Sequence, residues 1–317
     1  MSGEHRIRPI LRAIREALRS HYPVPDVHFV IDLDDKTYER KLPIMAFAAL
    51  HPYATLNSSA LLVPDWTSSP PADEAEARAD PWSGNLTHLA AIGGTDLATM
   101  SSWTRRNSRV VWRGLLPESN AAPRPSDGVL VNLSFAANRW GQRRPYVQLT
   151  RDDATHFDVR PSSPSAYLSR EGQCGYRHIL SLNGDCCHVS HGRLKWALAC
   201  GAVGIWAQPL WTLHWHHLLE AGTHYLPVPS AEGVRRCAAC LRDRPALAHR
   251  IALEGHSLVS KYLNSHATSC YWATLLRGYA SRMPAGPSAG LRGRSAGVPT
   301  IDEYLARSAQ RQARWRA

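Results

Sequence analysis

Residues 176–207 read YRHILSLNGDCCHVSHGRLKWALACGAVGIWA, and three segments within this stretch decide the fold. Residues 176–182 form an apolar run of strand length closed by the turn pair Asn183-Gly184. Residues 193–200 carry a helical pattern, with Gly201 as its stop, and 202–207 form a second apolar strand. Strand, helix and strand in this order imply a parallel pair joined by a crossover.

The same alternation extends outward from this unit. Upstream, 109–114 is a strand ending at a glycine turn, and a polar segment with Arg139, Arg143 and Arg144 leads into the helix-like YVQLTRDD and a strand at 156–159. Downstream come a strand at 224–228 and helices over 230–243 and 245–263, the first opened by Ser230. The fold class is therefore α/β, with residues 101–283 forming one doubly wound lobe whose parallel sheet is covered on both faces.

Residues 1–100 read as a shorter N-terminal lobe. Ile7, Ile10, Leu11, Ile14 and Leu18 share one stripe of an amphipathic helix over 5–20. Residues 28–33 form a buried strand that runs into Asp32, Asp34 and Asp35, and carboxylates at such a strand end sit where α/β sheets hold ligands. Short apolar strands follow at 42–49 and 60–64. The Pro-rich stretches 67–84 and 117–128 read as surface insertions, and 284–317 as a basic linker and tail in which the last segment is a short helix or disordered.

Composition narrows the classes of function. The chain has 317 residues, 44% hydrophobic and 20% charged, enough for two folded domains. Its net charge of +11 would suit a polyanion. Much of the excess, however, lies in the tail, and the other arginines are scattered without interleaved aromatics, so nucleic acid is not expected as a partner. Seven cysteines show no repeated metal-ligand spacing; Cys237-Ala-Ala-Cys240 is half of such a pattern with no second half nearby, and no metal is expected. The opening MSGEHRIRPILRAI lacks the apolar run of a signal peptide, which taken literally points to the cytosol, and no membrane span is expected. Sequons occur at Asn57, Asn85 and Asn132.

Four segments taken together resemble glycosyltransferase family 90, which includes the protein O-glucosyltransferases (Rumi-like and KDEL-containing) and the fungal capsule-associated proteins. They are RNSRVVWRG at 106–114; RRPYVQLTR at 143–151 with Phe157-Asp158; CGYRHILSLNG at 174–184 followed by HGRLKWALACG at 191–201; and HYLPV at 224–228 with Cys270-Tyr-Trp272. Residues 29–35, FVIDLDD, resemble the family strand that ends in the catalytic aspartate. The best register puts that residue at Asp35, with Asp32 and Asp34 crowding the same strand end.

The resemblance implies a GT-B arrangement, with two Rossmann-like lobes and the nucleotide held by the C-terminal one. It implies an inverting transfer of glucose or xylose from a UDP-sugar to a hydroxyl of a protein Ser or a glycan, by a monomer and without metal or other cofactor. Asp35 is then the general base, and Arg143, Arg193, Ser190, Gly192, Arg113 and Gly114 fall at UDP-sugar-binding positions. A Ser hydroxyl needs a positioned carboxylate to take its proton, and a leaving diphosphate needs cations and N–H donors. An arginine at a helix start opposes the helix dipole, so Arg193 calls for a bound phosphate. By the same resemblance Cys174 and Cys200 form a disulfide, which implies the lumen of the endoplasmic reticulum or Golgi. Two positions depart from the pattern. Leu115 and Leu116 follow Trp-Arg-Gly where a small polar residue is usual, and Leu213 replaces a ribose-binding Glu on the expected helix before His224, flanked by His214, His216 and His217. These departures keep a second reading open, a binding or scaffold protein with a degenerate site.

Overall fold

The computed structural model describes residues 4–19, 23–24, 27, 29, 31, 44–50, 60–65, 86–114, 116, 143–182, 192–207, 211–282 and 299–316. Within these, a five-stranded parallel sheet is built from β4 (Asn107–Gly114), β5 (Phe157–Pro161), β6 (Tyr176–Ser181), β7 (Val203–Ala207) and β9 (Tyr225–Val228) in the order β5-β4-β6-β7-β9. The α/β class read from residues 176–207 is therefore the observed one.

Successive residues of each strand feed opposite faces, so two cores form. Val110 and Trp112 of β4, Leu180 of β6 and Ile205 of β7 join one core with α4 (Arg143–Asp152) and α7 (Ala231–Asp243). Val111 and Ile179 join the other with α2 (Leu86–Leu97), α6 (Arg193–Ala199) and the last turns of α8 (Pro245–Tyr262). Ser230 caps α7 by accepting from the Gly233 N–H at 3.1 Å.

Helix α2, which the sequence reading left unassigned, packs on α6 and α8. A Cβ at Gly93 would lie 2.2 Å from the Ala199 carbonyl oxygen, so only glycine allows this backbone approach. Next to it, Arg106 donates to Asp96 and to the Cys200 and Gly201 carbonyls, and the Trp103 indole N–H donates to Gly201 at 3.1 Å. Gly201, at φ 66°, ends α6 as expected.

A third core joins α1 (Glu4–Arg19) to α9 (Ser265–Ala280) through Ile10, Ala13, Ile14, Ala17, Trp272 and Leu276. The buried stripe differs from the expected one. Ala13 and Ala17 admit α9 closely, and Leu18 turns outward at 49% exposure. Beside this core, β1 (Ile44–Ala46) and β3 (Ala60–Leu62) pair in parallel, and β2 (Ala48–Leu50) pairs antiparallel with β8 (Trp211–Leu213). The expected strand at 28–33 is described only at Phe29 and at Ile31, which bridges Met45 in parallel. The final segment is helical, α10 (Ile301–Arg316). Ser308 is fully buried and Asp302 pairs with Arg15 of α1 at 3.3 Å, so this part of the tail docks rather than standing free. No helix among the described residues is long and apolar enough to cross a membrane. The sequon asparagines Asn57, Asn85 and Asn132 lie outside the described residues.

Candidate active site

The carboxyl end of β4 is where the topology reverses. β4 passes to β5 through α4 on one face, whereas β6 passes to β7 through α6 on the other. Doubly wound sheets hold ligands in the crevice at such a switch point.

Local geometry there begins with Trp112. Trp112 and Gly114 are two residues apart and point to the same side of β4. The indole fills the space over Gly114, where a Cβ would sit 2.5 Å from the ring. Gly114 is thus glycine because Trp112 is tryptophan. Two guanidinium groups then reach this indole from opposite faces of the sheet. Arg143, opening α4, lies 5.6 Å from the ring centroid, and Arg193, opening α6, lies 5.7 Å from it.

Arg193 is the more constrained of the two. Its Nη2 donates to the Arg113 carbonyl at 2.6 Å and its Nη1 to Gln173 Oε1 at 3.4 Å, both neutral acceptors. Burial, followed by the charges of Arg143 and Arg170, pushes its pKa down to about 9. The charges of Arg143 and Arg170 thus both act on Arg193. Gly192, at φ 77°, turns the chain into α6 in a conformation that favours glycine.

Arg113, expected at the nucleotide, has its guanidinium hydrogen-bonded within the protein. Its guanidinium donates to both carboxylate oxygens of Asp158, at 2.9 and 3.0 Å, and to the Trp112, Asp158 and Ala166 carbonyls. Asp158 also accepts from Tyr176 at 2.6 Å and pairs with Arg160 at 2.9 Å. Burial opposes ionisation of Asp158, but the hydrogen bonds and charges of these neighbours outweigh it and hold the carboxyl below its usual range. The Arg113 guanidinium is thus saturated inside the protein, and its carbonyl accepts from Arg193.

Cys174 and Cys200 are bonded, with Cα atoms 5.2 Å apart. The bond ties the end of α5 (Arg170–Cys174), which carries Gln173, to the end of α6, whose first residue is Arg193. Cys237, Cys240 and Cys270 carry free thiols. Asp35, its neighbours Asp32 and Asp34, and Ser190 lie outside the described residues, as does Leu115.

The expected helix around Leu213 is absent. Leu213 ends β8 and is buried, and His216–Leu218 is a single 3-10 turn. Trp211, Leu213 and Trp215 alternate with polar residues, a period-two pattern that favours a strand. His214 and His217 accordingly share no helix face. His214 packs edge-on against Tyr271 at 5.2 Å, and burial pushes its pKa down to about 3. His216 accepts the Leu213 N–H and meets Trp206 and Trp215 edge-on. Among the described residues no three His, Cys, Asp or Glu side chains are grouped as metal ligands.

Sequence reasoning missed Gln173, Arg170 and the buried pair Asp65–Lys195, whose side chains meet at 3.1 Å. The available signal for the pair was one lysine inside an otherwise apolar helix and one aspartate just after an apolar strand.

No curated protein matches the chain in sequence. Among solved structures, HepE of Anabaena in complex with UDP and glucose aligns at 11% identity and a TM-score of 0.35, over 64% of this chain and 61% of that one. A glycosyltransferase from Rickettsia africae aligns at 8% identity and a TM-score of 0.36, over 76% and 64%. The chain thus spans less than two thirds of the length of either structure. The family model described as glycosyl transferase family 90 matches residues 8–298. Covering nearly the whole chain, that match shows that the protein belongs to glycosyl transferase family 90.

Proposed function

We propose that the protein is an inverting glycosyltransferase that moves glucose or xylose from a UDP-sugar to a hydroxyl of a protein Ser or a glycan. The observation that carries this reading is the convergence of Arg143 and Arg193 on Trp112 at the switch point of the sheet. Two partly buried guanidiniums with a third close by form a site for a diphosphate, which carries the charge that leaves in the reaction. In this reading the arginines supply the compensation that a metal ion gives in other transferases, and turnover persists in chelator.

The acceptor hydroxyl attacks the anomeric carbon as the bond to the β-phosphate oxygen breaks. Its proton passes to Asp35, and the electron pair leaves on UDP. Asp35 lies four residues past Ile31, whose bridge to Met45 sets the start of that segment at the parallel edge of the β1–β3 pair. The two-lobed GT-B arrangement belongs to the same reading, and the Cys174–Cys200 bond favours folding in an oxidising compartment of the secretory pathway. One observation favours the alternative of a binding protein with a weakened site. Leu213, where the family resemblance calls for an acidic ribose ligand, is buried and apolar.

Calorimetry with UDP, UDP-glucose and UDP-xylose separates the two. Micromolar binding that Arg193→Ala abolishes, together with turnover that Asp35→Asn abolishes, is the expected result. Absence of binding by any uridine nucleotide would overturn the transferase reading.

A further inference from the structure

Arg193 meets a second indole besides that of Trp112. Its guanidinium carbon lies 5.7 Å from the Trp112 ring centroid and 5.6 Å from that of Trp196, and Arg143 lies 5.6 Å from Trp112. Cation and ring thus alternate along one chain of contacts: Arg143, Trp112, Arg193, Trp196. Trp196 follows Arg193 by three residues on α6, so the two share a face of the helix. Helical side chains lean toward the N-terminus, which carries the Trp196 ring back over the turn that holds Arg193. The ring is 6% exposed and belongs to the core that α6 shares with α2 and α8, so its place is fixed by packing.

The second ring matters because of what else Arg193 meets. Its two hydrogen bonds go to neutral oxygens, the Arg113 carbonyl at 2.6 Å and Gln173 Oε1 at 3.4 Å, while the charges of Arg143 and Arg170 oppose its own. A guanidinium taken out of water among such partners is costly to keep charged. The negative face of an indole offsets part of that cost, and does so more strongly away from water. Trp112 serves both Arg143 and Arg193, whereas among the described residues the Trp196 ring meets no guanidinium but that of Arg193.

Orientation follows from the same contacts. A guanidinium is planar and carries its N–H bonds in a fixed fork, and two of them are spent on Arg113 and Gln173. Flat rings beside the plane restrict its rotation, so the rest of the fork is offered in one direction. We infer that Trp196 is a positioning residue of the donor site, whose indole holds the Arg193 guanidinium in place to receive a phosphate of the nucleoside diphosphate. The inference rests on the transferase reading above, and Trp196 acts through Arg193 without touching the reacting atoms.

The test keeps the shape of the ring and changes its electrons. Increasingly fluorinated tryptophans are introduced at position 196, because fluorine draws density from the ring face and weakens its hold on a cation. UDP calorimetry is run on the wild-type chain, on this series and on Trp196→Leu, each well below its melting temperature so that folded protein is titrated. UDP affinity falls stepwise with fluorination, by about 10-fold at the most fluorinated member, the order of one desolvated cation–π contact. Trp196→Leu, which keeps apolar bulk without a π face, loses at least as much. A flat affinity across the fluorinated series marks a packing contact and overturns the positioning role, while the transferase reading stands. Wild-type affinity in Trp196→Leu has the same meaning. A wild-type chain that binds no uridine nucleotide overturns the transferase reading and the role of Trp196 with it.

Discussion

Replacing both bonded cysteines, Cys174→Ala with Cys200→Ala, tests how far the crevice depends on its brace. The two sulfurs are buried, at 1% and 0% residue exposure, and the bond spans 26 positions of sequence. Closing a loop of that length removes about 12 cal/mol/K of entropy from the unfolded chain, so losing the bond costs about 3.5 kcal/mol at 25 °C. For a chain of 317 residues, at about 2 cal/mol/K of unfolding entropy per residue, that is a fall in melting temperature of roughly 5 °C. The loss also reaches the site. Gln173 precedes Cys174 and accepts from Arg193, so freeing the end of α5 loosens an acceptor that orients the guanidinium. UDP affinity is expected to fall in parallel with stability. Thermal melting and calorimetry of the double variant, alongside wild type with and without reductant, provide the readout. Equal melting temperatures in all three samples would refute the reasoning, and alkylation of both thiols in unreduced, denatured protein would refute the pairing itself.

Two further outcomes follow from the same geometry. Gly114→Ala drives a Cβ into an indole that is 1% exposed and has little room to yield; we expect a loss of about 1–3 kcal/mol on denaturation together with weakened UDP binding. Wild-type values for both would show that Trp112 does not carry the arginines. His178, buried beside Trp103 with Nδ1 2.9 Å from the Ser108 carbonyl, has its pKa pushed down to about 4, with burial as the largest cause. Its folded pKa lies below the unfolded value near 6.5, so the unfolded chain binds more protons between those values. Stability is therefore full above about pH 6.5 and is lost as pH falls toward 4, by about 3 kcal/mol. His178→Asn, which keeps a donor for Ser108, should flatten that limb in urea titrations from pH 4 to 7; an unchanged limb would assign the acid sensitivity elsewhere.

What the sequence made legible was the part of the fold governed by local pattern. Strands β4, β6, β7 and β9 are apolar runs bounded by glycine, proline or polar turns, and α6 stops at a glycine that adopts the left-handed conformation. Helix α2 was hidden because Gly93-Gly94 reads as a breaker. Gly93 is there for a backbone approach to Ala199, a tertiary demand that outweighs propensity and leaves no local trace. Around Leu213 the run of histidines masks the alternation of Trp211, Leu213 and Trp215, and the pairing of β8 with β2 makes the segment a strand. The Cys174–Cys200 bond came from family likeness, since spacing alone does not choose one pair among seven cysteines.

Arg113 and Arg193 show why the site was only half legible. Both were expected at the nucleotide, both are arginines at the ends of regular elements, and they touch one another, since Arg193 donates to the Arg113 carbonyl. What separates them is the nearest carboxylate. Asp158 sits two positions before Arg160 on β5, opposite Val111 of β4, and that register brings its oxygens within 3.0 Å of the Arg113 guanidinium. The charge of Arg113 is matched there, and moving it to a ligand would strand Asp158 beside only Arg160, Tyr176 and the more distant Arg109. Arg193 meets neutral oxygens and two further cations, so its environment gains from an anion. A motif spells the residue type at both places, but the electrostatic role follows from strand register and helix placement, which only the assembled sheet determines.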